Sequence, residues 1–140
     1  MNDSIRDVMT PNPCGMPASE SVMYAARAMR ENDIGDVIVL HADRLFGILT
    51  DRDIVVRVLA EGKDPASTTV GDICSRELTV LAPTDSVGLA VRLMREKALR
   101  RLPVVEENGQ VVGIVSLGDV ALERDPRSAL ADISAARPNV

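Results

Sequence analysis

A mixed α/β (α+β) fold is predicted for this chain: two pseudo-twofold-related β-α-β-β-α repeats, with their sheets packed together and helices outside. Three observations predict it. The chain matches itself at an offset of 65 to 66 residues along most of its length. In each copy a helical spacing of apolar residues gives way to β-like apolar runs, in the same order. Neither copy, at roughly 60 residues, would bury much core alone, so the two must pack together.

The duplication is read from matched segments. Asp7-Val8-Met9-Thr10 lines up with Asp72-Ile73-Cys74-Ser75, an offset of 65 (72 − 7). The same offset pairs Ser21-Val22 with Ser86-Val87, and Met29-Arg30-Glu31 with Met94-Arg95-Glu96. Past the middle of each copy the offset becomes 66, pairing Gly47 with Gly113, Thr50 with Ser116 and Asp53 with Asp119. The extra residue is assigned to the loop Glu106-Glu107-Asn108-Gly109, against His41-Ala42-Asp43-Arg44, because a surface turn absorbs insertions most easily. The expected organisation is a first repeat over 1–66, a second over 67–125, and a tail over 126–140.

Each element follows in order. A short apolar piece opens each copy, around Cys14 to Met16 and Leu78 to Leu81. An amphipathic helix comes next, with Val22, Ala25, Ala26 and Met29 at i, i+3, i+4, i+7, repeated as Val87, Ala90, Val91 and Met94. Ser19 and Thr84 are the expected caps of these helices. Two strand-like runs follow, Val37 to Leu40 with Leu45 to Leu49, and Leu102 to Val105 with Val111 to Val115; Asn108-Gly109 marks a hairpin in the second pair. A last helix is expected from about 51 to 60 and from about 117 to 124. In the tail, Leu130 and Ile133 would share one face of a short helix, with fraying over 137–140.

Composition narrows the function. One Tyr, one Phe and no Trp leave few side chains to stack on exposed bases, and a net charge of −5 opposes binding to a phosphate backbone; nucleic acid is not an expected partner. The cysteines, Cys14 and Cys74, form no CxxC pair and read as free thiols in a reducing cytosol. His41 is the only histidine and has no Cys or His at metal-ligand spacing, so no metal is expected. Met1 to Thr10 carries no apolar stretch suited to a signal peptide, and no run approaches a membrane span of ~20 apolar residues. The expectation is a soluble, cytoplasmic protein with no membrane partner. No Ser/His/Asp set, phosphate-binding loop or metal cluster supports catalysis, so it is not expected to be an enzyme.

The chemistry concentrates in a motif that occurs twice, Gly-x-x-(Thr/Ser)-x-x-Asp: Gly47 to Asp53 and Gly113 to Asp119. It has two readings. Thr50 with Asp53, and Ser116 with Asp119, are spaced as helix capping boxes, worth roughly 1 kcal/mol each. The same helix start presents N–H groups to an anion, a hydroxyl to a ribose or phosphate oxygen, and a carboxylate to a ribose diol. Its position at the same point of a duplicated unit favours the second reading.

In sum the matched residues resemble a known family. The duplicated unit, Asp7-Val8-Met9-Thr10 at its start, Arg101-Leu102-Pro103-Val104-Val105 before the hairpin and both Gly-x-x-(Thr/Ser)-x-x-Asp endings resemble a tandem pair of cystathionine-β-synthase (CBS) domains, a Bateman module, over roughly 5–124. The absence of an attached enzyme or channel in these residues is similar to small stand-alone bacterial members. The resemblance implies a non-catalytic regulatory module, often a homodimer, whose clefts bind AMP, ADP, ATP, S-adenosylmethionine or NAD and which acts on an unknown regulated protein by shape change. It carries Asp53 and Asp119 over as ribose contacts, with Thr50 and Ser116 beside them, and places a basic phosphate contact at Arg101. Ile48, Ile114, Pro103 and Val104 are the candidate adenine walls. AMP or ATP is the favoured ligand; a ligand-independent interaction or stress-response module with vestigial clefts is the alternative.

The two motifs are not expected to be equal. Arg100-Arg101 precede the second strand pair, whereas Gly35-Asp36 stand at that place in the first, and Arg52 of the first motif corresponds to Gly118. Nucleotide should bind more tightly beside Asp119 and Arg101, with Arg52 compensating in part at the other motif.

Overall fold

A computed structural model describes residues 4–76 and 78–124. In chain order its elements are α1 (Ile5–Val8), β1 (Thr10–Pro11), β2 (Gly15–Pro17), α2 (Val22–Asn32), β3 (Asp36–His41), β4 (Arg44–Thr50), α3 (Asp51–Ile54), a π-helical turn (Val55–Leu59), α4 (Val70–Ile73), α5 (Val87–Lys97), β5 (Arg101–Val105), β6 (Val111–Ser116) and α6 (Leu117–Arg124). The mixed α+β class holds, with two three-stranded sheets and flanking helices. The helix expected around Leu130 and Ile133, and the fraying over 137–140, lie outside the described residues.

The described residues pack as two compact units: those of Cys14–Leu78, and 4–13 joined to 79–124. These limits differ from the sequence repeats over 1–66 and 67–125, because the opening tetrapeptide of each repeat has changed places. Asp7 to Thr10 packs with the strands of the second repeat, and Asp72 to Ser75 with those of the first. Each tetrapeptide overlaps a one-turn helix, α1 or α4, and turns extended at Met9 or Cys74. The residue that follows then pairs beside the strand leading into a motif: Thr10 with Ile114, Ser75 with Ile48. Neither short helix is expected from the sequence.

In the Cys14–Leu78 unit the sheet order is β2-β3-β4, with β2 parallel to β3 and β3 antiparallel to β4. Val37, Val39 and Leu49 point to one face and pack under α2, which buries Val22, Ala25 and Met29 at helical spacing. In the other unit the order is β1-β6-β5, all antiparallel, and α5 buries Val87, Ala90 and Met94 over Leu102, Val104 and Val115. Of the apolar piece expected over Leu78 to Leu81, Leu81 bridges to Val104 and is buried in the core.

The hairpins explain the change of offset. His41 and Arg44 enclose Ala42-Asp43, both at positive φ (51° and 62°), a two-residue turn of type I′. The second hairpin has three loop residues, Glu107-Asn108-Gly109; Gly109 (φ 87°) donates its N–H to Glu106 and Gln110 closes the loop, a type I turn with a glycine bulge. The additional residue is thus in the loop.

Two expectations need correction. The caps of α2 and α5 are Ser21 and Ser86, whose hydroxyls accept from Tyr24 N and Leu89 N, each at 3.1 Å. Ser19 and Thr84 are instead inside turns closed by Glu20 N to Pro17 O and Asp85 N to Ala82 O. Bridges from Ser21 to Thr69 and from Ser4 to Ser86 hold the true caps extended, a non-local contact that the sequence spacing does not reveal. The helix expected from 51 to 60 is α-helical only to Ile54 and then widens to a π turn. Ile54, Val55, Val56 and Val58 are β-branched, which crowds a tight helical turn.

Candidate functional site

Both motifs fold as complete capping boxes. Thr50 Oγ1 accepts from Asp53 N (3.2 Å), and Asp53 Oδ2 accepts from Thr50 N (2.9 Å). In the second copy Ser116 Oγ accepts from Asp119 N (3.1 Å), and Asp119 Oδ2 accepts from Ser116 N (2.9 Å). The carbonyl just before each strand hairpin takes one more N–H of the helix start: Asp51 N donates to Gly35 O, and Leu117 N to Arg100 O. Capping therefore occurs in full, and it uses groups that a ligand would also use.

What is left over differs between the copies. In α3, Arg52 N donates to Asp51 Oδ1 (2.8 Å), so all three leading N–H groups are taken. Asp53 is also held on its other oxygen, with Arg57 Nε 3.8 Å from Oδ1. At α6, no partner for Gly118 N or for Asp119 Oδ1 occurs among the described residues. Gly118 has no side chain, where Arg52 occupies the matching place in the first motif.

The remaining candidates divide by face and by unit. Ile48, Thr50, Arg52 and Asp53 lie in the Cys14–Leu78 unit; Arg101, Pro103, Val104, Ile114, Ser116 and Asp119 lie in the other. Arg101 sits opposite Ser116 across the β5–β6 ladder, and Pro103 opposite Ile114. Pro103 and Ile114 thus share a sheet face two residues from Arg101 and Ser116. Val104 does not join them: strand alternation turns it to the opposite face, where it is fully buried in the core under α5. Ile48 is opposite Ile38, and both are buried outside that unit's cluster of core residues. Arg52 is exposed at the start of α3.

Arg57 escapes the sequence reading. Its Nη1 donates to Ile73 O (2.9 Å) while its Nε faces Asp53, linking the motif to the end of α4. The i, i+4 spacing from Asp53 is the signal that could have found it.

Both cysteines are free. Burial pushes the Cys74 thiol up, with Arg76 opposing; burial and then the charge of Asp36 push Cys14 up. A raised thiol pKa means that any stability these groups contribute is present below the unfolded-state pKa and is lost as pH rises through the folded one. Alkylation by iodoacetamide at pH 8 is expected to run at least ~10-fold slower in the folded protein than in urea, with Cys74 slower than the more exposed Cys14. Equal folded and unfolded rates would contradict the burial argument.

Comparison with known proteins adds relatives to this geometry. The family model described as CBS domain matches residues 5–60 and 70–124. Hypoxic response protein 1 of Mycobacterium tuberculosis is 38% identical over 117 residues, covering 83% of this chain and 81% of its own. A crystal structure of Hypoxic Response Protein I, which has two coordinated zinc ions, superposes with a TM-score of 0.76 at 36% identity, covering 86% of this chain and 98% of that one. Among the described residues here, no group of three or more His, Cys, Asp or Glu could hold a metal ion. The uncharacterized protein MK0525 of Methanopyrus kandleri is 38% identical over 116 residues, covering 82% of this chain but only 57% of its own length. The CBS domain pair of protein MJ0100, crystallised with 5′-methylthioadenosine and S-adenosyl-L-methionine, superposes with a TM-score of 0.79, covering 89% of this chain and 98% of that one. At 24% identity that likeness concerns the fold.

Proposed function

The chain belongs to the CBS-domain family, with two copies of the domain over residues 5–60 and 70–124, and from this we propose that it is a non-catalytic sensor of an adenosyl nucleotide. A CBS pair is a regulatory module; the ligand class, the site and the assembly are the parts proposed here. AMP or ATP is the favoured ligand, with ADP, NAD and S-adenosylmethionine in the same class; the protein would act as a cytoplasmic homodimer on a regulated partner protein. No helix among the described residues is long and apolar enough to cross a membrane.

One observation carries the choice of site. Asp119 makes its capping box through Oδ2 and leaves Oδ1 outside it, so the box and a ribose contact are compatible there. Arg101, across the ladder from Ser116, supplies positive charge, and Pro103 with Ile114 supplies an apolar face for adenine. At Asp53 the leading N–H groups and both carboxylate oxygens already have partners. That saturation also favours the second reading in one copy, a vestigial site in a ligand-independent interaction module.

A thermal-shift screen with AMP, ADP, ATP, S-adenosylmethionine and NAD separates the two. A ligand at 100 times its Kd that binds only the folded state adds about 2.7 kcal/mol, which raises Tm by several degrees in a chain of this size. A rise with at least one adenosyl ligand is expected. No shift with any of them at millimolar concentration would leave the ligand-independent reading in place.

A further inference from the structure

We propose that Arg57 is a positioning residue that draws Asp53 away from ribose, making the first motif the weaker of the two nucleoside sites; this rests on the nucleotide reading above. Asp53 is held from both sides. Thr50 N donates to Oδ2 at 2.9 Å, and Arg57 Nε stands 3.8 Å from Oδ1. The Asp53 side chain is 17% exposed and that of Arg57 50% exposed, so the pair lies at the edge of solvent.

What sets this arginine apart from an ordinary surface cation is its second anchor. Its Nη1 donates at 2.9 Å to the carbonyl of Ile73, the last residue of α4. The final carbonyls of a helix have no partner within the helix, so this bond satisfies one of them and fixes where the guanidinium stands. A ribose diol donates two hydrogen bonds to its carboxylate. At Asp53, one of the two oxygens faces a cation that is already in place.

The second motif is built differently at this point. The residue four beyond Asp119 in sequence is Glu123, where Arg57 is four beyond Asp53, so the charge at that position is reversed. No partner for Asp119 Oδ1 occurs among the described residues. At this spacing the first motif thus carries a cation facing its carboxylate, and the second carries an acidic residue in sequence.

A latch of this kind acts on ribose, not on phosphate, and that decides the experiment. Adenosine and AMP are titrated calorimetrically into the wild type, Asp119→Ala, Asp119→Ala/Arg57→Gln and Asp119→Ala/Arg57→Lys. With Asp119 removed, only the Asp53 motif is left to report. Arg57→Gln is expected to raise its adenosine affinity about two- to threefold, the size set by a half-exposed i, i+4 ion pair. Arg57→Lys keeps the charge but not the two-point anchoring and is expected to give an affinity between those of Asp119→Ala and Asp119→Ala/Arg57→Gln.

Unchanged, weaker or undetectable adenosine binding in the Arg57→Gln background overturns the latch. So does a loss of AMP affinity with adenosine unaffected, since Arg57 would then be a phosphate ligand. Wild-type protein that binds neither compound overturns the nucleotide reading itself, and the latch with it. Wild-type binding combined with no effect of Arg57→Gln overturns the latch alone.

Discussion

Gly47→Ala is expected to destabilise the chain by about 2–3 kcal/mol, and Gly113→Ala by about 1 kcal/mol or less. The glycine that opens each motif is required by a neighbouring segment of chain, not by a ligand. A Cβ on Gly47 would stand 2.5 Å from Cys74 Sγ and 2.6 Å from Ser75 O. That carbonyl cannot retreat freely, because Ser75 O accepts from Ile48 N (3.1 Å) and Ser75 N donates to Ile48 O (2.9 Å). Making room for a methyl group means giving up a two-bond bridge. On Gly113 a Cβ would overlap Met9 Sδ first, with Thr10 O at 3.0 Å. A methionine thioether is flexible and can swing aside, so less is lost. Urea denaturation of both variants measures the difference, with each kcal/mol worth roughly 3–5 °C in Tm as a cross-check. A Gly47→Ala cost no larger than that of Gly113→Ala would refute the argument from the bridge.

These glycines also mark how far local pattern reading reaches. The helices α2 and α5, both hairpins and α6 are legible because their signals are local: apolar residues at i, i+3 and i+7, short apolar strand runs, an Asn-Gly turn. What cannot be read is where a segment docks. Asp7 to Thr10 and Asp72 to Ser75 match as a repeat, yet each pairs with strands of the other copy, and nothing within four residues encodes that choice. The same limit misplaces the caps. The spacing puts the cap of α2 at Ser19, and the bridge from Ser21 to Thr69, 48 positions away (69 − 21), accompanies the cap at Ser21 instead.

At the site, residue types are legible and their commitments are not. The spacing of Thr50 with Asp53 and of Ser116 with Asp119 identifies the groups that meet, and it allows a capping box and a ribose contact equally. The choice depends on the second carboxylate oxygen, which Arg57 faces in one copy. Val104 fails as an adenine wall for a simple reason: adjacent residues of a strand face opposite ways, so Pro103 and Val104 cannot line one surface. The expected inequality of the motifs rested on Arg101 against Asp36. Arg57 and Gly118 N supply two further differences of the same sign.

Asp119→Ala and Asp53→Ala are therefore expected to part company. Each loses one capping box, so each should cost about 1 kcal/mol of stability and lower Tm by a similar few degrees. Nucleotide affinity should respond very differently. Two hydrogen bonds from a ribose diol to a carboxylate, at about 1.5–3 kcal/mol each for bonds to a charged group, put the loss for Asp119→Ala at roughly 100-fold or more. For Asp53→Ala the loss should stay within about threefold, since that carboxylate is already committed to Thr50 and Arg57. Calorimetric titration with AMP, read beside the two melting curves, separates a cap from a ligand contact. Matched Tm losses with a large affinity gap would mark Asp119 as the binding carboxylate. Equal affinity losses would end the claim that the two motifs differ. An affinity loss confined to Asp53→Ala would place the ligand in the copy where the chain has already used the groups it needs, and would require Arg57 to give way on binding.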